Sequence, residues 1–551
     1  MTRRTSPDAS IESLVALLNA GEWGQCVDYT AQLISKNGHR ADLAFILSLA
    51  YFNDGKFKEA LPWARESIVL GFDYSACLLQ GDIESALFQY QSAHQSYVKA
   101  LEQHPGDVTI HNKIGQNLIN DMRFDQATVW LAQSLDIEPS NDTTRVLLAS
   151  AMDQSGYSES ALSIIRGGLL LKPDSPQLLR EVANLLINEG AFTEAQTQLT
   201  KVIKANPRDA LAWVALVNSC KITHQESDWL NTMAELVNDL NIPDVDRINL
   251  NYAMGKCYDD LDQNADAFAH YSAANLLKRR AIGSSDRKEI SRIADLFIRS
   301  HTSEVMQKDW SGFSDSKKPL FVIGTPRSGT TLLEHLLTSN STITGAGELN
   351  FLGQELNRYR MEVFYANYTA DILQTISGGY LKSLNEIFPY ALHVIDKMPA
   401  NFRFSGPIHV AFPNARLLHI HRNPIDTCLS IYFHNFPATH RYSTDLSDLA
   451  YYYREYVRLM LHWRSVIPAN RLLDVPYEAL VQDHTFWMRK IMNFLEIDWN
   501  ESGATNAANR TVRTFSRWQV RQPIYTTSRE RWRKYEKFIG PLLELDEHPF
   551  G

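Results

Sequence analysis

The stretch FVIGTPRSGTTLLEHLL, Phe321 to Leu337, decides how the C-terminal half of the chain folds. An apolar run leads into a Gly-rich turn and then into helical periodicity, the order of a strand, a phosphate-binding loop and a helix. Gly324 and Gly329 stand as in the pattern G-x-x-x-x-G-K-[ST]. The lysine position holds Thr330, followed by Thr331, and the loop carries Arg327 and Ser328 instead. A helix opening at Gly329 turns backbone N–H groups and the positive end of its dipole toward an anion. The lysine-bearing form of this loop serves nucleoside triphosphates with Mg²⁺, so its replacement points to a different donor.

Outward from the loop, a polar stretch, SGFSDSKK (311–318), precedes a change of pattern. Short apolar runs at 319–324, 392–397, 415–422 and 470–477 read as buried strands, and helical periodicity fills the intervals. Strands alternating with helices imply an α/β domain with a parallel sheet, whose ligands sit at the carboxyl ends of the strands. Each run ends in polar or charged residues, among them Lys397, Arg422 and Tyr477.

The N-terminal half repeats itself. GKFKEALPWARESI from Gly55 aligns with segments from Gly21, Phe88, Met122, Gly156 and Gly190. A small residue recurs at Cys26, Ala60, Ala93, Ala127, Ala161 and Ala195, and prolines follow at Pro105, Pro139, Pro173 and Pro207, each 34 residues apart. Alanine at the closest helix–helix approach lets backbones come near. The preceding aromatic (Phe57, Tyr90, Phe124, Tyr157 or Phe192) is expected to fill the adjoining gap, and proline ends each hairpin. The period resembles the tetratricopeptide repeat, which implies an all-α solenoid with a groove for a protein or peptide. A stacking scaffold or homodimer contact is the alternative use. The expected boundaries are an array over 1–222, a divergent helical repeat and linker over 223–315, and an α/β domain over 316–551.

The whole chain excludes several classes. With 551 residues it is too long for one core, which stops growing at roughly 250–300 residues. A net charge of −9 argues against general nucleic-acid binding. The five cysteines form no C-x-x-C pair, which fits reduced thiols and no zinc site. No run approaches the ~18 apolar residues of a membrane span. The expectation is a cytoplasmic protein with no membrane, nucleic-acid or metal partner.

GTPRSGTTLLEHLL followed by GELNFL, DKMP, LLHIHRNPIDTCLSIYFH and VPYEALV resembles the sulfotransferases that use 3′-phosphoadenosine-5′-phosphosulfate (PAPS), and among them the tyrosylprotein sulfotransferases. The resemblance covers roughly 318–540. It implies that Arg327, Ser328, Gly329, Thr330 and Thr331 hold the 5′-phosphosulfate, that Arg422 and Ser430 hold the 3′-phosphate, and that Tyr477 lines the nucleotide site. It also implies Glu348 as the base that deprotonates an acceptor hydroxyl, with Arg327, Lys397 and Ser516 stabilising the leaving phosphate. The family's tyrosylprotein members carry a further arginine where this chain has His434. Transfer of a sulfuryl group moves one charge fewer than transfer of a terminal phosphoryl group, which accounts for fixed cations in place of a metal clamp. The basic tail (Arg513, Arg517, Arg521, Arg529, Arg531, Arg533) would surround an anionic cofactor, with the last three reading as a solvated face. The acceptor implied is a tyrosine of a protein or peptide bound by the repeats. A carbohydrate or small phenol, a Mg²⁺-dependent kinase or NTPase in which Asp396 holds the metal, and an inert scaffold are the rival readings.

Overall fold

Helices pair off through the N-terminal half: Ala9–Ala20 with Trp23–Asn37, Ala41–Asn53 with Phe57–Val69, Asp73–Ala86 with Tyr90–Gln103, Val108–Asn120 with Phe124–Ile137, and Asp142–Gln154 with Ser158–Leu171. The helix–turn–helix pattern continues in Pro176–Glu189 and Phe192–Ala205. The computed structural model describes residues 9–223, 227–239, 241–310, 314–349, 351–498 and 530–550, and the chain divides into two compact units, 1–185 and 186–551.

The recurring small residues do what close packing requires. Cys26, Ala60, Ala93, Ala127, Ala161 and Ala195 are all fully buried. A second small position lies on the first helix of successive pairs: a Cβ added at Gly81 would come 2.5 Å from the Tyr97 ring, and one at Gly115 2.5 Å from Leu131. Ala149 and Ala183 continue that position at the 34-residue period and are likewise buried. The expectation for the aromatics needs one correction. Tyr90 is buried, but Tyr157 is 61% exposed. It stands at the N-cap of its helix and fills no gap.

The second unit builds a five-stranded sheet: β1 (Pro319–Gly324), β2 (Ile343–Gly345), β3 (His393–Asp396), β4 (Arg416–His421) and β5 (Leu472–Pro476), in the order β2-β3-β1-β4-β5 with every pair parallel. β2, only three residues long, was not among the strands expected. Alternation along β1 sends Leu320 and Val322 into an aliphatic core with Leu333, Leu337, Trp487 and Ile491. Phe321 meets an aromatic layer on the opposite face, 5.9 Å from Tyr380 and 5.9 Å from Phe412.

Helices ahead of the sheet complete that second layer. Arg287 donates to Asp448 at 2.7 Å, Arg458 donates to Asp295 at 2.8 Å, and the Phe297 ring lies 6.0 Å from Trp463. Trp463 and Phe297 are fully buried by this contact. Stripping the helices away would return large aromatic surface to water, each such side chain being worth about 1.5–3 kcal/mol when buried. A chain beginning at Lys317 should therefore lose its cooperative thermal transition, whereas one beginning at Leu186 should keep it. Calorimetry of the two checks this, and equal transitions would refute it.

Candidate active site

Three strand ends carry the site. The first is the turn after β1. Gly324 has φ +155°, and a Cβ there would come 2.4 Å from the Ile420 carbonyl oxygen of β4. Gly329, at φ +106°, caps the helix Thr330–Leu337, and a Cβ there would strike the Tyr477 ring at 2.5 Å. Both positions need glycine, one for close strand approach and the other for its backbone. Between them Arg327 adopts φ +69°, a left-handed conformation that costs a non-glycine residue on the order of 1–3 kcal/mol. Its Nε–H donates to Ser430 Oγ at 3.0 Å. Ser328 is fully buried and donates to the Thr325 carbonyl at 2.8 Å.

The second strand end is that of β4. Asn423 accepts from the N–H groups of Ile425 and Asp426 at 3.0 Å each, and Pro424 opens the helix Pro424–Tyr432, as expected for an N-cap followed by a residue whose missing N–H costs nothing there. This helix carries Ser430 to its last turn. The Arg422 guanidinium lies 5.0 Å over the Tyr477 ring and 3.7 Å from Asp426. Tyr477 follows β5, so Gly329, Tyr477 and Arg422 stack in sequence. His434 Nδ1 donates to the Ser430 carbonyl at 2.6 Å, and burial beside Arg327 and Arg531 holds its imidazole neutral, far below the ordinary range.

The third is that of β3. Lys397 is fully buried and its Nζ donates to Glu348 Oε1 at 2.6 Å, while Glu348 is half exposed. Glu348 gets there because β2 lays its segment along β3. The Ala346 N–H reaches the Ile395 carbonyl, the Lys397 N–H reaches Gly347, and the Gly347 N–H reaches Glu334, each at 2.9 Å. Asp396 faces away from this pair's role. It is fully buried, it accepts from the Tyr380 hydroxyl at 2.9 Å, and burial pushes its carboxyl up to about 7. A carboxyl so placed is ill suited to hold a metal. Among the described residues no group of three or more His, Cys, Asp or Glu is arranged for a metal ion.

Six residues expected singly at the site are thus in contact as three pairs: Arg327 with Ser430, Arg422 with Tyr477, and Lys397 with Glu348. Thr330 is buried at the helix start and Thr331 is partly exposed beside it. Ser516, with Arg513, Arg517, Arg521 and Arg529, lies outside the described residues. Arg531 is not a solvated arginine: it pairs with Asp259, while Arg533 is exposed and bonded to Glu530. Two supports have no signal in the sequence. Asp426 accepts from the N–H groups of Glu530 and Trp532, and Lys278 reaches the segment after Ser430. The residues present fit a phosphoadenosine donor. Gly329 lets the Tyr477 ring pack against the helix start, and the buried Thr325 hydroxyl has no hydrogen-bond partner among the described residues.

Residues 319–501 match the model of the sulfotransferase family, and the chain carries a sulfotransferase-family domain behind its helical pairs. A protein of Aquifex aeolicus (strain VF5), described only as "Uncharacterized protein", is 28% identical over 392 residues, 68% of this chain and 50% of its own length. The protein-tyrosine sulfotransferase of Drosophila melanogaster is 26% identical over 33% of this chain and 39% of its own length. Protein-tyrosine sulfotransferase 1 of Danio rerio is 23% identical over 39% and 65%. The chain spans about half the length of the curated relatives it matches. Solved structures of MamA from Desulfovibrio magneticus RS-1 (13% identity, 30% of this chain and 94% of that chain) and of PilF from Pseudomonas aeruginosa (17%, 38% and 94%) both align with a TM-score of 0.29. No helix among the described residues is long and apolar enough to cross a membrane.

Asp396 makes stability depend on pH with a definite sign. Its folded-state value near 7 lies above the ~3.9 of a free carboxyl, so across that window the folded protein holds a proton the unfolded chain has lost. Its contribution is complete below the unfolded value and is lost as pH rises to about 7. Urea unfolding at pH values on either side of that window should show wild type losing stability relative to Asp396→Asn as pH rises. An unchanged difference would refute the assignment.

Proposed function

We propose that the protein transfers a sulfuryl group from PAPS to an acceptor hydroxyl, a tyrosine of a protein or peptide recruited by the repeats. The observation that carries this reading is the pairing of Arg327 with Ser430, which ties the loop after β1 to the helix after β4, with the Lys397–Glu348 pair at the next strand end. The family match over 319–501 and the printed names of the fly and fish relatives support the chemistry and the acceptor. In this reading residues 1–222 recruit, 223–315 connect and 316–551 carry out transfer in the cytoplasm.

Each residue then has a task. Arg327, Ser328, Gly329, Thr330 and Thr331 hold the 5′ end of the donor, and Arg422 and Ser430 hold its 3′-phosphate, a group that guanidinium recognises well. Tyr477 places a ring under Arg422 and lines the nucleotide site. When bound, the donor supplies an activated sulfuryl group and a leaving phosphate. Arg327 and Lys397 present cations fixed in place before charge develops, so their stabilisation needs no reorganisation. Ser516 adds a hydroxyl donor in the same role. Glu348 gives up its bond from Lys397 Nζ and takes the proton of the acceptor hydroxyl on a carboxylate oxygen. No covalent enzyme intermediate is involved.

Glu348→Gln retains an acceptor for Lys397 but removes the base. Its kcat should fall about 10²–10⁴-fold, the usual worth of general-base catalysis, with donor affinity nearly unchanged. Turnover of a tyrosine peptide and calorimetric titration of adenosine 3′,5′-bisphosphate on one preparation test this. Near-wild-type kcat would remove Glu348 from the mechanism.

Arg422→Ala should weaken adenosine 3′,5′-bisphosphate by about 1.5–3 kcal/mol, the cost of a charge-assisted hydrogen bond, and leave adenosine 5′-phosphate little changed. Equal losses for the two nucleotides would contradict the 3′-phosphate role.

A further inference from the structure

Ser430 lies in the last turn of its helix, which ends at Tyr432, and the chain then turns irregularly through His434 and Phe436. Such a stretch has no ladder or helix to hold it, so something else must fix its backbone. The partners come from Asn264–Ile282, a helix that lies ahead of the sulfotransferase-family match. The Tyr271 ring stacks on Phe433 at 4.0 Å with 13° between planes. Asn275 is fully buried and its Nδ2 donates to the Tyr432 carbonyl at 2.9 Å, while its own Oδ1 accepts from Tyr252. One turn on, Lys278 donates to Asn435 Oδ1 at 2.8 Å and to the Phe436 carbonyl.

Lys278 is the costly member of this set. Only 5% of its surface is exposed, and no carboxylate among the described residues forms an ion pair with it. A buried ammonium held by neutral oxygens alone is expensive, and burial here lowers its value to about 8. An apolar side chain would fill the same space at less cost in stability. What the ammonium provides is two strong donors aimed at the stretch that directly follows the helix carrying Ser430, whose Oγ in turn accepts from Arg327.

We propose that Lys278 is a positioning residue for the donor site: by tying Asn435 and Phe436 to the helix Asn264–Ile282, it sets where Ser430 meets the 3′-phosphate and where Arg327 is held. The inference rests on the PAPS reading above. It makes a helix outside the family domain part of nucleotide recognition.

The test compares affinity for adenosine 3′,5′-bisphosphate with affinity for adenosine 5′-phosphate, in the full chain, for wild type and Lys278→Met. The methionine keeps the length and apolar stem but removes the donors. The expected result is a fall of about tenfold in the ratio of the two affinities, the size of one lost hydrogen bond to a charged group, with a cooperative melting transition retained. A ratio equal to that of wild type, with or without a lower melting temperature, would show a structural role alone and overturn the proposal. If the methionine variant does not fold, Lys278→Gln, which keeps an N–H donor, is read by the same ratio: a fall of about threefold supports the proposal and an unchanged ratio overturns it. Wild type that does not bind adenosine 3′,5′-bisphosphate would instead overturn the donor assignment, and this inference with it. That failure is distinct from one in which wild type binds and the variants match it.

Discussion

The close approach of β1 to β4 is the constraint on which the site depends. Leu320 to Gly324 run in register with Arg416 to Ile420, and at the last step the Gly324 Cα lies against the Ile420 carbonyl so tightly that any side chain would collide. Two turns therefore leave the sheet side by side, one toward Arg327 and the other toward Arg422. The Arg327–Ser430 hydrogen bond closes the gap between them. In a looser pairing the residues of the two turns would stand too far apart for that bond. The left-handed backbone of Arg327 is a local cost of this arrangement, and strain of this kind persists where the surroundings over-determine it.

Charge is distributed unevenly around the neighbouring strand end. Lys397 is fully buried, yet the carboxylate that neutralises it is half in water. Removing one partner of a buried pair is strongly destabilising, about 3–5 kcal/mol, because the other charge is left uncompensated. Glu348 can leave Lys397 to take a proton only if another anion takes its place. An anionic donor beside Lys397 meets that condition, which would make the base available when the donor is present. Asp396, one residue earlier, cannot serve, since burial keeps its carboxyl neutral until about pH 7.

The parts of this structure legible in the sequence are those with a local cause. Four strands could be read because each is an apolar run closed by turn or charged residues, and the repeat could be read because alanine must recur where helices touch. β2 could not: three residues show no alternation. Tyr157 misled because a repeat fixes a position but not whether a neighbour covers it. The site residues near Arg327 and Lys397 followed from motif order, but their pairing did not, since Arg327 and Ser430 are 103 residues apart and Lys397 and Glu348 are 49 apart. Contacts at greater separation left no trace. Nothing local to Asp426 announces the N–H groups of Glu530 and Trp532, and nothing local to Lys278 announces Phe436.

Those distant contacts share a pattern that bears on how the candidate site is held. Asp426, buried in the first turn of the helix after β4, accepts two backbone N–H groups from the segment 530–532 and lies 3.7 Å from Arg422. Arg531, between those two N–H groups, pairs with Asp259 and lies 5.5 Å over the Phe433 ring, and the Tyr535 hydroxyl donates to the same aspartate. The C-terminal segment thus joins the helix Asp244–Asp260 to the helix that carries Ser430. Asn264–Ile282 grips the same helix end through Tyr271 and Asn275. Asp259 matches the Arg531 charge, Asp426 accepts two backbone N–H groups, and Tyr271 and Asn275 bring only a ring and an amide. Additional carboxylates without such partners would weaken the positive charge of Arg327 and Arg422. Backbone carbonyls, amides and rings hold the helix end without adding such charge.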